Sequence, residues 1–219
     1  MSEIGEKYTK ENALDEIMTM QNSFQHWIAD KRGYVDIDSE KVEDQLDLNY
    51  MSMYMFGCFI AEADEAIESI QLNGFSDDTK YEIADMTCFM TSAFCYAGVK
   101  KFNKTLEEYW AEAQKYEGID AEQFESNSIE DTLTYIVGKM STVFGAMYRD
   151  IPCKKWKTYK ELERNNIDKV TWYCEKILKL FCIFCDISNM APDDVYSYYM
   201  SKNKVNYDRQ LDKTKGYLG

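Results

Sequence analysis

The chain has little that would interrupt a helix. Only two prolines, Pro152 and Pro192, occur in 219 residues, so long segments carry no built-in break. It has one histidine, His26, and a single CxxC, Cys182 and Cys185. A structural zinc site needs four ligands, so that pair reads better as buried thiols. Positive charge is scarce: 25 Lys and Arg stand against 39 Asp and Glu, a formal charge of −14. A protein that coats nucleic acid clusters Lys and Arg against phosphate, and the charge balance argues against that class. No run of about 18 apolar residues is present, so no membrane span is expected. The opening MSEIGEKYTKEN has no apolar h-region, so no signal peptide is expected and the setting should be cytoplasmic. The seven cysteines are odd in number and sit in apolar helical patterns, as reduced core thiols do.

What remains is enough for a core. Forty-five per cent of residues are hydrophobic, which argues against intrinsic disorder and for one domain over residues 1–219. Helical spacing dominates. Leu14, Ile17, Met18, Gln21, Phe24 and Trp27 predict a helix from Lys10 to Asp30. A second should start at Ser39 as N-cap and end near Leu72, stopped by Asn73-Gly74. Tyr50 to Met55 briefly alternates like a strand, but its flanks are helical. A third helix is predicted from Ser76-Asp77-Asp78 to about Ala97. Others follow over Asn103–Tyr116, Ile129–Tyr148 and Asn165–Asp186, and the stretch from Asp193 to about Leu211 starts helical and ends basic. No solenoid repeat and no long linker appears. The fold class is all-α, a helical bundle. From about residue 202 a basic, mobile tail is expected.

Four acids carry the first functional signal. Glu62 and Glu65 on the second helix, and Glu82 and Asp85 on the third, are two i, i+3 pairs, each on one helical face. An Asn-Gly turn between the helices should fold them back and bring the pairs together. Carboxylates converging in this way repel unless cations occupy the space, and oxygen-only ligation suits Mg²⁺ or Mn²⁺. Solvated helix faces would show the same letters. Small or apolar neighbours (Phe59, Ala63, Ala66; Ile83, Ala84, Met86) put part of each acidic face beside the core. The pattern alone leaves both readings open.

Two other segments concentrate polar chemistry. Lys202, Asn206 and Arg209 fall at i, i+4, i+7 on one face, followed by Lys213, Lys215 and Gly216-Tyr217. Such a face suits a phosphate chain; a solubilising basic helix end complementing the macrodipole is the plain alternative. Gln21 and Gln25, at i and i+4 beside Phe24 and Trp27, expose two amides that can pair with a pyrimidine edge. An ordinary polar stripe looks the same.

ExxE followed by ExxD, together with YYxxKNxxNxxRQ…GY at the C-terminal end, resembles the all-α NTP pyrophosphohydrolases, especially dimeric dUTPases and T-even-like phage dCTP/dUTP pyrophosphatases. The resemblance implies an all-α bundle of that type. It also implies Mg²⁺-dependent hydrolysis of dUTP or dCTP, at the α-phosphorus, to the monophosphate and pyrophosphate. Glu62, Glu65, Glu82 and Asp85 would hold metal, with Glu62 or Glu65 activating water. Lys202, Asn206, Arg209 and Tyr217 would bind phosphate and sugar, and Gln21 and Gln25 the base. Gln25 stands where dimeric dUTPases carry asparagine, and QLNGFSDD replaces their tryptophan- and lysine-rich insert. Both departures widen the base choice beyond uracil. A homodimer, hiding the Tyr- and Met-rich surface near Tyr50, and a bacterial or phage-infected cytoplasm are likewise implied. The alternatives are a MazG-like or modified-nucleotide pyrophosphohydrolase, and a catalytically silent helical interaction protein. The last would show no Mg²⁺-dependent thermal stabilisation with a non-hydrolysable analogue.

Overall fold

The structure, a computed structural model, describes residues 12–115, 128–155, 157–159 and 162–211. Among these there are seven helices and no strand: α1 (Ala13–Arg32), α2 (Gln45–Asn73), α3 (Asp77–Tyr96), α4 (Leu106–Ala113), α5 (Ile129–Asp150), α6 (Ile167–Ile187) and α7 (Pro192–Leu211). The all-α class is as expected. The ends placed at Lys10 and Tyr116 lie outside the described residues.

Capping explains most boundaries. Ser76 caps α3 by accepting the Thr79 N–H, and Ser128 and Asn166 cap α5 and α6 in the same way. Thr105 and Glu108 form a reciprocal capping box that starts α4 later than the predicted Asn103. Ser39 does not cap α2. Its hydroxyl donates to Asp44 at 2.5 Å and accepts from the Lys41 N–H, within a turn that precedes the helix. A serine six residues short of a helix competes with it through such local bonds.

The turn between α2 and α3 sets up the site. Gly74 has φ 66°, ψ −154°, and its N–H bonds the Ile70 carbonyl, closing α2 in a conformation that suits glycine. Thr79 Oγ1 then donates to the Gly74 carbonyl at 2.9 Å. The two helices run antiparallel: Ser69 meets Thr79 near the turn at 2.9 Å, and Ser52 donates to the Ala93 carbonyl far from it at 2.7 Å. That register sets Glu62 opposite the stretch holding Glu82 and Asp85.

The other helices brace this hairpin. Phe144 of α5 is fully buried among Phe56 and Phe59 of α2 and Phe94 of α3, with the Phe56–Phe144 ring centroids 3.8 Å apart. Truncating Phe144 to alanine should cost roughly 3–5 kcal/mol. α6 packs on α5 and α4, while α1 and α7 both lie on α3. Gly98, at φ 100°, lets the end of α3 approach α6; a Cβ there would sit 2.8 Å from the Ile167 side chain. The seven cysteines are all free, and six are buried.

Candidate active site

α3 supplies one wall of the site. Asp85, Cys88, Ser92 and Tyr96 recur at three- and four-residue steps, so they share a face. Across from them α2 brings Glu62, α1 brings Gln21 and Gln25, and α7 brings Asn206 and Arg209. All but Tyr96 of these line one cleft of 410 Å³, together with Phe24, Phe89 and Tyr54.

The acids are crowded. One ligand oxygen from each of Glu62, Glu82 and Asp85 lies within 4.8 Å of the others. Glu65 is not in that group; it is exposed, one turn along α2, because the buried stripe of the helix runs through Phe59, Ala63, Ala66 and Ile70. Burial pushes the Glu62 carboxyl up to about 7, aided by the charges of Asp85, Glu65 and Glu82 and only partly offset by Lys202. Glu82 and Asp85 are also raised, burial being the main cause. Such a set favours protons or cations in its midst. Its donors are all oxygen and partly desolvated, which fits a hard divalent ion.

α7 brings the cations. Lys202 ion-pairs with Asp85, both largely shielded from water. Asn206 donates to the Cys88 sulfur at 3.7 Å, and Arg209 is exposed at the cleft edge. Residues 202–211 continue the helix. Tyr217, with Lys213 and Lys215, lies outside the described residues.

The two glutamines are buried and held in a directed network. Ser92 donates to the Cys88 carbonyl at 2.7 Å, which leaves its oxygen to accept. Gln21 and Gln25 each donate an amide hydrogen to that oxygen, at 2.7 and 2.9 Å. Their carbonyls therefore face the other way. Gln25 accepts from the Tyr96 hydroxyl at 2.9 Å, and the one Tyr199 hydroxyl hydrogen is shared between Gln21 at 3.0 Å and the Ile17 carbonyl at 3.2 Å. Each amide nitrogen keeps one more hydrogen to offer. Tyr199 stands in the YY that opens the C-terminal motif, whereas Ser92 and Tyr96 belong to no motif. The step pattern from Asp85 along α3 is the signal that marks Ser92 and Tyr96.

A helical bundle carrying grouped carboxylates beneath a basic helix face is the arrangement that the resemblance to the all-α NTP pyrophosphohydrolases led one to expect. The sequence matches the dUTPase family over residues 13–217, and the chain belongs to that family. It is thus a hydrolase of the nucleotide triphosphate pyrophosphatase type, of the dUTP/dCTP class. No curated protein and no solved structure matches the chain. Among the described residues, no helix is long and apolar enough to cross a membrane.

Proposed function

We propose that this protein hydrolyses a deoxypyrimidine triphosphate, dUTP in preference to dCTP, to the monophosphate and pyrophosphate with Mg²⁺, Mn²⁺ being the alternative ion. The observation that carries this reading is the single 410 Å³ cleft in which both glutamines, Glu62, Asp85, Asn206 and Arg209 meet. Base, metal and phosphate functions each have residues there, contributed by four separate helices.

Glu62, Glu82 and Asp85 would hold the metal, with Glu65 at the rim. The ion would neutralise triphosphate charge and stabilise the charge that develops on the leaving group. The protein's own groups do the rest. Glu62 or Glu65 takes a proton from the attacking water, whose oxygen bonds to the α-phosphorus as the bond to the bridging oxygen breaks. Arg209 and Lys202 screen the departing pyrophosphate, Lys202 from its position on Asp85. Asn206, beside Cys88, adds a neutral donor, and the resemblance of Gly216-Tyr217 to the family's last motif would give Tyr217 a part in phosphate and sugar binding.

Base preference follows from the direction of the network. With their carbonyls engaged by Tyr96 and Tyr199, the amides of Gln21 and Gln25 offer N–H donors. Uracil presents O4 and O2 as acceptors, whereas cytosine places an amino donor at position 4. A donor facing a donor in a buried site costs roughly 1–3 kcal/mol.

A panel of dNTPs assayed for pyrophosphate release, with and without Mg²⁺, tests this. dUTP turnover that needs Mg²⁺ and yields dUMP plus pyrophosphate is expected, with dCTP slower. Equal turnover of purine and pyrimidine triphosphates, or release of orthophosphate alone, would overturn it.

A further inference from the structure

A second cavity, of 670 Å³, shares no lining residue with the acidic cleft. It is formed by the end of α5, the segment leading from it, and the start of α6. Five of its side chains are cationic: Arg149, Lys154, Lys157, Arg164 and Lys169. Two are acidic, and one of these is already engaged. Asp150 pairs with Lys169 at 2.9 Å and also accepts the Tyr173 hydroxyl. Glu163 is the other lining carboxylate, against Arg149, Lys154, Lys157 and Arg164, and Arg149 also helps hold the Asp150 carboxyl below its ordinary range. No ion pair joins any of those four to a carboxylate among the described residues. Lys157 lies over the Tyr159 ring at 5.6 Å; in a chain of net charge −14, a hollow gathering cations without an ion pair among the described residues runs against the average of the molecule.

The cavity also offers oriented neutral donors. The hydroxyl of Tyr159 accepts the Lys154 N–H at 3.0 Å, so its own hydrogen is free to donate. Asn166 caps α6 through the Lys169 N–H, and the Ile167 and Asp168 N–H groups of the first turn have no helical partner. The floor is rigid. Asn165 is buried and donates to Asn49 at 2.7 Å and to the Ala97 carbonyl at 3.0 Å, while Asn49 donates to the Pro152 carbonyl at 2.9 Å. A fixed floor under several cations is preorganised for an anion that carries more than one charge.

We propose that this cavity is a binding site for a small, multiply charged phosphate compound, separate from the catalytic cleft. A single phosphate would reach only part of a 670 Å³ hollow, whereas a di- or triphosphate chain can engage arginine forks and lysines on different sides of it. Long nucleic acid is disfavoured because the positive charge is confined to the hollow while the rest of the chain repels a polyanion. Inorganic pyrophosphate and the phosphate tail of a nucleotide share the recognised chemistry, and the experiment separates them.

The full-length protein is titrated by calorimetry in EDTA with inorganic pyrophosphate and, in a second arm, with a nucleoside diphosphate. Wild type and Arg209→Ala, altered in the other cleft, should both bind saturably. Arg149→Ala/Arg164→Ala should bind at least ~10-fold more weakly with its helical circular dichroism unchanged. A stronger signal with the nucleotide than with pyrophosphate assigns the site to nucleotide tails; equal or weaker assigns it to the inorganic ion. Should the double variant lose its helical signal, Lys157→Gln serves in its place and must weaken binding as well. No saturable binding by wild type up to about 10 mM of either probe overturns the proposal. So does binding lost in Arg209→Ala but kept when the second cavity's cations are removed.

Discussion

Glu62 and Glu112 are the same side chain in opposite circumstances. Glu112, on α4, takes Lys104 on one oxygen at 2.5 Å and Lys179 of α6 on the other at 2.7 Å, and these two hydrogen bonds pull its carboxyl down to about 2. Glu62, on α2, has acids for neighbours, and burial with their charge pushes it up to about 7. A carboxylate supplied with its own cations is a joint between helices, electrically complete. One crowded by like charges in a cleft is complete only when something positive or a proton arrives. In a chain with 39 acids, this local balance separates chemistry from solvation better than the acid count does.

The largest test of that contrast is activity. Glu62→Gln should lower kcat by roughly 10²–10⁴-fold, the usual loss of a positioned general base or metal-holding carboxylate, with the helical signal intact. Glu112→Gln should leave kcat where it was. Similar losses in both, measured by pyrophosphate release, would dissolve the distinction. Next comes Ser92→Ala. It strips the shared acceptor from two buried amides, at roughly 1–3 kcal/mol, and should raise KM for dUTP and narrow the dUTP-to-dCTP ratio more than it changes kcat. A fall in kcat alone would give Ser92 no part in base selection.

The helical hairpin and its acid pairs were legible because both depend on local rules: i, i+3 spacing, and a glycine able to close α2 at positive φ. What escaped was set by distant partners. Spacing puts Glu65 with Glu62, but the core contacts of Phe59, Ala63 and Ala66 decide how α2 is rolled, and that roll leaves Glu65 in solvent. Gln21 and Gln25 were visible as paired amides. Their orientation depends on Ser92, Tyr96 and Tyr199, residues about 70 or more positions away, which periodicity on α1 does not report. Thr105 and Glu108 spell a capping box in plain sequence, yet the charged stretch around them blurred the start of α4.

pH gives a smaller and more discriminating test. The folded-state carboxyl of Glu62 is raised from 4.5 to about 7, so the folded protein binds that proton more tightly than the unfolded chain does. Metal-free protein should therefore lose stability as pH rises from 4.5 through 7, with Glu82 and Asp85 acting in the same direction. Mg²⁺ added at pH 7 should raise Tm in wild type and much less in Glu62→Gln. A metal-free Tm that climbs steadily over this window in wild type and is matched by Glu62→Gln would remove the crowded-acid description.

The smallest effect belongs to the joint. Glu112 is lowered from 4.5 to about 2, so its contribution is present above pH 4.5 and fades as pH falls toward 2, the opposite window and the opposite sign. The side chains at this joint are 24 to 38% exposed, and screening by water and salt holds their worth to roughly 0.5–1 kcal/mol. Glu112→Gln should accordingly lower Tm by about 1–4 °C at pH 7 and low salt, less in high salt, and almost not at all at pH 2.5. The tie is between α4 and α6, which share no residue with the acidic cleft, so the loss should be independent of Mg²⁺. A Mg²⁺-dependent loss would mean the two regions are coupled through the bundle, and that Glu112 is more than a joint.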